Sequence, residues 1–575
     1  AWDPVENASL LPWLTSTALL HSMMVQQHRG MFKIWNVALI AMSFILCILG
    51  TYLTRSGVIS SVHAFAASPI STYFLAFILI CIVLTVWLIL WRRGWNIALA
   101  LVLGVTTAAL AWGITDYFEL LARPWWLPTA VLGALIGAAG WLFIWVWRQH
   151  PKVTLRSDHE LEGLISREGA FLLGNFILAV MMFTTLVGTV FPLISGWLSQ
   201  IPNLEQGLEK IPLIGEKIAP VARGPVTAGP PFYNSVVAPM GLLLAFVMAH
   251  GPVLAFGKTA ALKIARAMTV PGIAGVIAAG TVLLLKMNGL WADSARAIFT
   301  SAQFDPDTKW AFTGATVSTI VTFIAVLGTF AVFVGFLQST SARQRSTGEN
   351  LLVAAIRLID ADKRRYGGQL VHLGMILVVL GVAGSSLYQI DKVNRLSPGE
   401  SVEMAGMELT FVSLDRVRDV NFTAYQATVT ARQEESSLTT TLRALLGVVS
   451  WSLPRDREMT TTLTPQVRYY DAWGNEPNSE VALRSTLRRD LYLTLAGWEA
   501  GGAIVAIEAR VTPLVLWIWL GGMVMAGGGI FCAVPRLLPK PHRVPAVATR
   551  PGAAKREAES AAILESATLE TEVVS

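Results

Sequence analysis

The sequence predicts an all-α polytopic membrane bundle of about eleven transmembrane helices, with a small β-rich domain inserted before the last of them. Three observations predict it. Of the 575 residues 54% are hydrophobic and only 14% charged. The mean hydropathy is +0.55, far above that of soluble domains. Residues 389–510 break the apolar pattern with alternating runs such as Met407-Glu408-Leu409-Thr410-Phe411-Val412, punctuated by Pro, Gly and Asn.

Apolar runs long enough to cross a hydrocarbon core lie near 8–26, 33–53, 72–91, 95–114, 125–147, 169–193, 235–256, 268–286, 311–336, 370–388 and 511–533. The domain plan is therefore a bundle over 1–388 with external loops at 54–71 and 194–234, a β-rich domain over 389–510, a last helix over 511–533 and a disordered tail over 534–575. Basic residues set the orientation. Arg29 and Lys33, Arg92 and Arg93, Arg148 with Lys152 and Arg156, Lys258 with Lys263 and Arg266, and Arg343 through Arg365 fall on alternate loops, which face the cytoplasm. The Asp3/Glu6 edge and the β-rich domain then face the other side, with the C-terminus inside. The net charge of +6 reads as these basic loops and a basic tail. No basic stripe interleaves with aromatics, so nucleic acid is set aside and membrane lipid is the expected surrounding. Cys47, Cys81 and Cys532 stand singly in apolar runs, which leaves no CxxC metal site or disulfide framework.

The first helix carries Ser9, Thr15, Ser16, Thr17 and Ser22, a polar load that places it inside the bundle. Gly367, Gly374 and Gly381 recur every seven residues and predict a small-residue seam for close helix packing.

Histidine is a common haem-iron ligand, and an ionisable side chain inside a membrane helix is costly enough to suggest function. His21 and His372 each lie about six residues from a cytoplasmic helix end, roughly 9 Å deep at 1.5 Å per residue. That match suits two axial ligands of one b-type haem. His250 is equally deep and competes, and a neutral histidine bonded to a neighbouring hydroxyl or carbonyl explains any one of the three as well. His63 follows Arg55 by eight residues, a separation that can set a propionate partner beside an iron ligand; a solvated loop histidine is the plain alternative. His28, His150, His159 and His542 sit beside basic clusters and read as surface residues. Trp2 and Trp13 can stack on a porphyrin, although interfacial aromatics usually anchor a membrane protein. Anchoring is likewise the default for Pro230-Pro231-Phe232-Tyr233-Asn234, Trp517 and Trp519.

The run from Trp2-Asp3-Pro4-Val5-Glu6-Asn7-Ala8-Ser9 to Ala18-Leu19-Leu20-His21-Ser22 resembles the end of the tryptophan-rich WWD motif and the next helix of the CcmF family, the haem-lyase subunits of cytochrome c biogenesis. Thr54-Arg55-Ser56-Gly57, Ser61-Val62-His63-Ala64-Phe65, Ser166-Arg167-Glu168, Gly229-Pro230-Pro231-Phe232-Tyr233-Asn234 and His372-Leu373-Gly374 agree with it. So do Pro465 to Tyr470 and the exit through Trp517, Trp519, Gly521 and Gly522.

The resemblance implies a bacterial inner-membrane enzyme component, part of a holocytochrome c synthase. It receives haem from the periplasmic haem chaperone CcmE and joins it to CxxCH thiols of apocytochrome c presented by CcmH-type subunits. It further implies that His21 and His372 hold a structural haem b that reduces the incoming haem. His63, Trp2, Asp3 and Arg55 then contact that external, transferred haem. No individual catalytic residue is assigned. With a motif entered at its end, the chain reads as lacking an N-terminal part that carries the first external ligand. The helix pair between Arg93 and Arg148 reads as an insertion. Three rivals stand beside this reading: a b-haem quinol oxidoreductase, with quinol as partner; a haem transporter; and a paralogue dedicated to a nitrite reductase.

Overall fold

The computed structural model describes residues 2–57, 59, 61, 70–92, 157, 159, 161–163, 165–202, 204–209, 219–254, 257, 261–287, 314–433, 460–471, 476–535 and 537. The expected helices at 95–114 and 125–147, His63, most of the 54–71 loop and nearly all of the tail lie outside these residues.

Local chemistry marks where the helices begin and stop. Helix α1 (Pro4–Arg29) starts where the Asp3 side chain accepts from the Val5 and Glu6 amides, with Pro4 at its first position, and stops at Gly30 with φ 63°. Helices α2 (Lys33–Ser56) and α3 (Ile70–Arg92) follow. Ser166 caps α4 (Arg167–Leu198) through the Gly169 amide. The short α5 (Leu204–Glu209) precedes α6 (Pro230–His250), α7 (Ala261–Met287), α8 (Gly314–Thr347), α9 (Leu351–Ala361) and α10 (Lys363–Leu387); α11 (Val515–Ala533) comes last.

Among the described residues eight helices are long and apolar enough to cross a membrane: α2, α3, α4, α6, α7, α8, α10 and α11. The chain is thus a multi-pass membrane protein. Helix α1 has the length, with 26 residues, but not the apolarity. It packs against α2 and α4, and its Asn7, Thr15 and Ser22 are buried beside Leu11, Leu14 and Ala18. Leu39 and Leu46 of α2 and Leu178 and Met182 of α4 complete that core. Asn7 and Thr15 find partners within protein, the only place for them in a hydrocarbon layer, whereas the buried Ser22 hydroxyl has none among the described residues. Asn7 donates to Thr189 Oγ1 at 3.1 Å, and Ser43 to Thr15 Oγ1 at 2.8 Å. The rest of the bundle is a chain of neighbours, α4 on α6, α6 on α8, α8 on α7 and α10, and α10 on α11.

Helices α10 and α11 meet along the glycine seam. A Cβ on Gly374 would lie 2.6 Å from the Gly521 carbonyl oxygen and 2.8 Å from the Met525 amide. On Gly367 it would lie 2.8 Å from the Gly528 oxygen, and on Gly381 2.9 Å from the Ile518 amide. These are backbone atoms that cannot swing aside, so the two helices are as close as only glycine permits.

Between them stands the β-rich domain. One sheet has the order β1-β10-β9-β8, and the other the path β2-β3-β4-β6-β7 with β5 also on β4, all pairs antiparallel. The strands are β1 Ile390–Leu396, β2 Ser401–Met404, β3 Met407–Arg418, β4 Phe422–Gln433, β5 Thr461–Leu463, β6 Gln466–Tyr470, β7 Pro477–Glu480, β8 Ala482–Ser485, β9 Arg489–Trp498 and β10 Val505–Pro513. Alternate residues such as Leu409, Phe411, Leu491, Leu493, Val505 and Ile507 fill its core. Because Val511 pairs with Ile390 in the ladder, the last helix starts at Val515 rather than near 511. Trp517 donates its indole N–H to the Leu487 carbonyl at 2.8 Å, so it ties the last helix to the β domain; Trp519 is exposed.

Replacing Gly374 by Val should destabilise the protein by roughly 1–3 kcal/mol or more through overpacking, whereas Gly522→Ala, which meets nothing within 4 Å, should not. Thermal unfolding in detergent compares the two, and equal midpoints would show that the seam is not close-packed.

Candidate functional site

Two constellations lie at opposite ends of α1, separated by the eighteen residues from Asp3 to His21, ~27 Å along a helix. At the first, Trp2 has φ 67°, a left-handed conformation that costs a non-glycine residue about 1–2 kcal/mol. It is held there by two contacts. Its ring stacks on Tyr233 with centroids 4.6 Å apart and planes within 9°, and its indole N–H donates to Asn234 Oδ1 at 2.9 Å. Tyr233 is 1% exposed, and its hydroxyl joins Thr189 and Asn7. Gly188 leaves room for it, since a Cβ there would lie 2.6 Å from the tyrosine ring. Asp3 Oδ1 also accepts from Ser61 Oγ at 2.9 Å, which draws the loop after α2 to this end. Arg55, in the last turn of α2, lies at the same end and is exposed.

Pro230 to Asn234 are therefore more than an interfacial anchor: they open α6 and form one wall of this site with Trp2. Sequence reasoning noticed the stretch but not the pairing, and nothing in the sequence marks Thr189 as its third member.

At the second constellation His21 and His372 come together from α1 and α10. Their ring centroids are 6.3 Å apart and their planes 17° from parallel. Two imidazoles bound end-on to one metal through ~2.0 Å bonds put their ring centres roughly 6 Å apart, so the spacing fits a shared axial pair. His21 Nδ1 faces the Thr17 carbonyl at 2.8 Å. A carbonyl only accepts, so Nδ1 carries the proton and Nε2 presents its lone pair, the tautomer a metal ligand needs. Phe171 of α4 packs on the same ring at 5.5 Å. Among the described residues no group of three or more His, Cys, Asp or Glu can hold a metal. Two histidines alone suit a metal that brings its own equatorial ligands, as haem iron does. His250 has the same tautomer through Phe246 O at 2.8 Å, but its ring lies against Phe246 at 4.5 Å, not against the pair. His28 and His159 are exposed, and His159 Nδ1 faces the Arg29 carbonyl at 2.9 Å.

Below the histidine pair an ion pair fastens the helix ends. Arg29 Nε lies 3.0 Å from Glu168 Oε1, and the Glu168 carboxylate also accepts from the Gly257 amide at 2.9 and 3.0 Å. Gly257 has φ +79°, and a Cβ there would lie 2.9 Å from Arg29 Nη2. Arg167 donates from Nε to the Leu254 carbonyl at 3.0 Å.

Fold and sites together define a multi-pass helical membrane protein with a β-rich domain before its last described membrane helix and a histidine pair inside the bundle. Residues 1–59 match the family described as Cytochrome C assembly protein. In sequence the chain is similar to the CcmF proteins of cytochrome c biogenesis. It is 27% identical over 534 residues to "Cytochrome c-type biogenesis protein CcmF" of Escherichia coli (strain K12), which covers 92% of this chain and 60% of that protein. Against the Pseudomonas aeruginosa protein of that name it is 28% identical over 536 residues, with 93% and 60% covered. The solved structure "Cytochrome c Heme Lyase CcmF" has the same fold, with TM-score 0.55, 20% identity and 93% and 60% of the two chains covered. The chain spans about 60% of the length of these relatives.

Glu168→Gln should cost about 1–3 kcal/mol, the loss expected for a buried charge-assisted hydrogen bond, because Arg29 keeps Glu162, and should raise hydrogen exchange at the ends of α1 and α4. Unchanged exchange there would show that the pair does not fasten these ends. Tyr233→Ala should cost about 3–5 kcal/mol as a buried aromatic truncation, while Tyr233→Phe should cost only ~1 kcal/mol. Thermal unfolding reads both.

Proposed function

We propose that the chain forms the membrane part of a haem lyase of cytochrome c maturation, with a structural b-type haem held between His21 and His372. The observation that carries the haem assignment is the near-parallel histidine pair at 6.3 Å; similarity to the CcmF proteins supplies the reaction. In this reading haem arrives from the chaperone CcmE, and apocytochrome c is presented by CcmH-type subunits. The protein lies in a bacterial inner membrane with the Trp2 end and the β domain on the periplasmic side and the C-terminus in the cytoplasm. The alternation of Lys and Arg along the chain supports that orientation.

The reaction adds a cysteine S–H across each vinyl double bond of the substrate haem: the C–S bond forms, the proton ends on the neighbouring carbon, and nothing is oxidised. The incoming iron must be reduced for this to proceed. When bound between His21 and His372, a b-type haem supplies single electrons for that step.

The chain's own groups bind and orient. The Thr17 carbonyl fixes the His21 tautomer and makes its Nε2 a stronger donor. Phe171 packs against the same ring. At the other end Trp2, Asp3 and Arg55, with His63 of the adjoining loop, contact the substrate haem. Trp2 already has one face on Tyr233, so it offers the other.

The detergent-purified chain should show a low-spin b-type spectrum in reduced-minus-oxidised absorption and pyridine haemochrome assays. His21→Ala and His372→Ala should each lose it, and His250→Ala should keep it. If no haem copurifies, or His250→Ala alone loses it, the ligand pair is wrong.

A further inference from the structure

The β8–β9 hairpin is tied to the edge of the membrane. Helix α11 has 19 residues, ~28 Å at 1.5 Å per residue, about the thickness of a hydrocarbon core. Its first turn therefore marks the boundary of that core on the β-domain side. Two bonds fix the hairpin turn at this level. The Leu514 amide donates to the Arg488 carbonyl at 3.1 Å, and the Trp517 indole to the Leu487 carbonyl at 2.8 Å. Thr486 closes the turn, its amide and its hydroxyl both donating to the Arg489 carbonyl. Leu487 stands at the tip, 60% exposed, an apolar side chain at the height where acyl chains begin.

Three arginines crowd this turn. Arg484 pairs with Leu491 across the hairpin, and Arg489 precedes Leu491 by two residues on β9, so Arg484 and Arg489 share one face. Arg488 lies in the turn between them and is exposed. Asp490, the adjacent carboxylate, alternates to the opposite face of β9. Arg489 donates to the Ala405 carbonyl, a neutral acceptor. Among the described residues no hydrogen-bond partner reaches Arg484 Nη1, although that nitrogen is buried. A buried guanidinium N–H left without an acceptor is costly. Burial, with Arg488 and Arg484 close by, holds the Arg489 guanidinium down to about 10. Like charges gathered at such a place favour an anion between them. The anion present at this height, just outside the acyl chains, is a phospholipid phosphate, whose oxygens match the fork of a guanidinium.

We propose that Arg484 and Arg488 bind the phosphate of one phospholipid in the leaflet on the β-domain side, with Leu487 against its acyl chains. The lipid thereby becomes part of the joint between the β domain and α11.

The test titrates the full chain in dodecyl maltoside with phosphatidylglycerol and, separately, with diacylglycerol of the same chains. Native mass spectrometry counts the bound lipid for wild type, R484Q/R488Q, R484K/R488K and L487S. Wild type should hold one phosphatidylglycerol more than the Gln pair, about tenfold tighter than diacylglycerol, the scale of a charge-assisted bond. The Lys pair should keep most of that lipid, and L487S should weaken both lipids alike. Where the Gln pair fails to fold, R488Q, a change in an exposed turn, should still lose affinity several-fold. If the Gln pair, or R488Q in its place, binds as much phosphatidylglycerol as tightly as wild type, the cluster is structural only and the inference fails. It fails as well if inorganic phosphate at equal concentration displaces the lipid from wild type, because the site then takes a free anion.

Discussion

The axial position of one helix governs both sites. Helix α1 carries Trp2 at one end and His21 near the other, and it is too polar to be held by lipid. Its placement comes from buried polar contacts: Asn7 with Thr189 at one end, Thr15 with Ser43 in the middle, and Arg29 with Glu168 at the other. The last matters most, because Glu168 is almost wholly buried and an uncompensated carboxylate there would be expensive. One helical residue of slip along α4 is ~1.5 Å. That is enough to break the ion pair, unstack Trp2 from Tyr233 and move His21 off the level of His372.

Much of this is legible in the sequence. The polar load of the first helix foretold its burial, the seven-residue glycine spacing foretold the seam that α11 fills, and equal depth brought His21 and His372 together. Depth alone could not separate His250 from that pair, because it says nothing about the direction a helix face points. The structure separates them by placing the His250 ring on Phe246. The Trp2–Tyr233 stack was illegible for another reason: it joins residues 231 positions apart, and aromatics near a membrane surface have an ordinary use that needs no partner. The last helix starts later than its apolar run suggests because Val511 and Pro513, apolar enough to read as membrane, lie in the β ladder.

The two sites also differ in how they are built. Around the histidines one support is local, the Thr17 carbonyl four residues away, and the ring contact comes from Phe171 of α4. Around Trp2 the supports come from α4, α6 and the loop after α2, so that end depends on the tertiary structure as a whole. A strained Trp2 backbone is tolerable only because those partners hold it.

The pairing of β1 with β10 continues without interruption into the packing of α10 on α11. The domain is therefore mounted on two closely packed antiparallel helices, and Trp517 braces the joint. Such a mounting makes the sheet and the helix bearing His372 one lever: a partner that tilted the domain would swing that helix too, and with it the spacing between the two imidazoles.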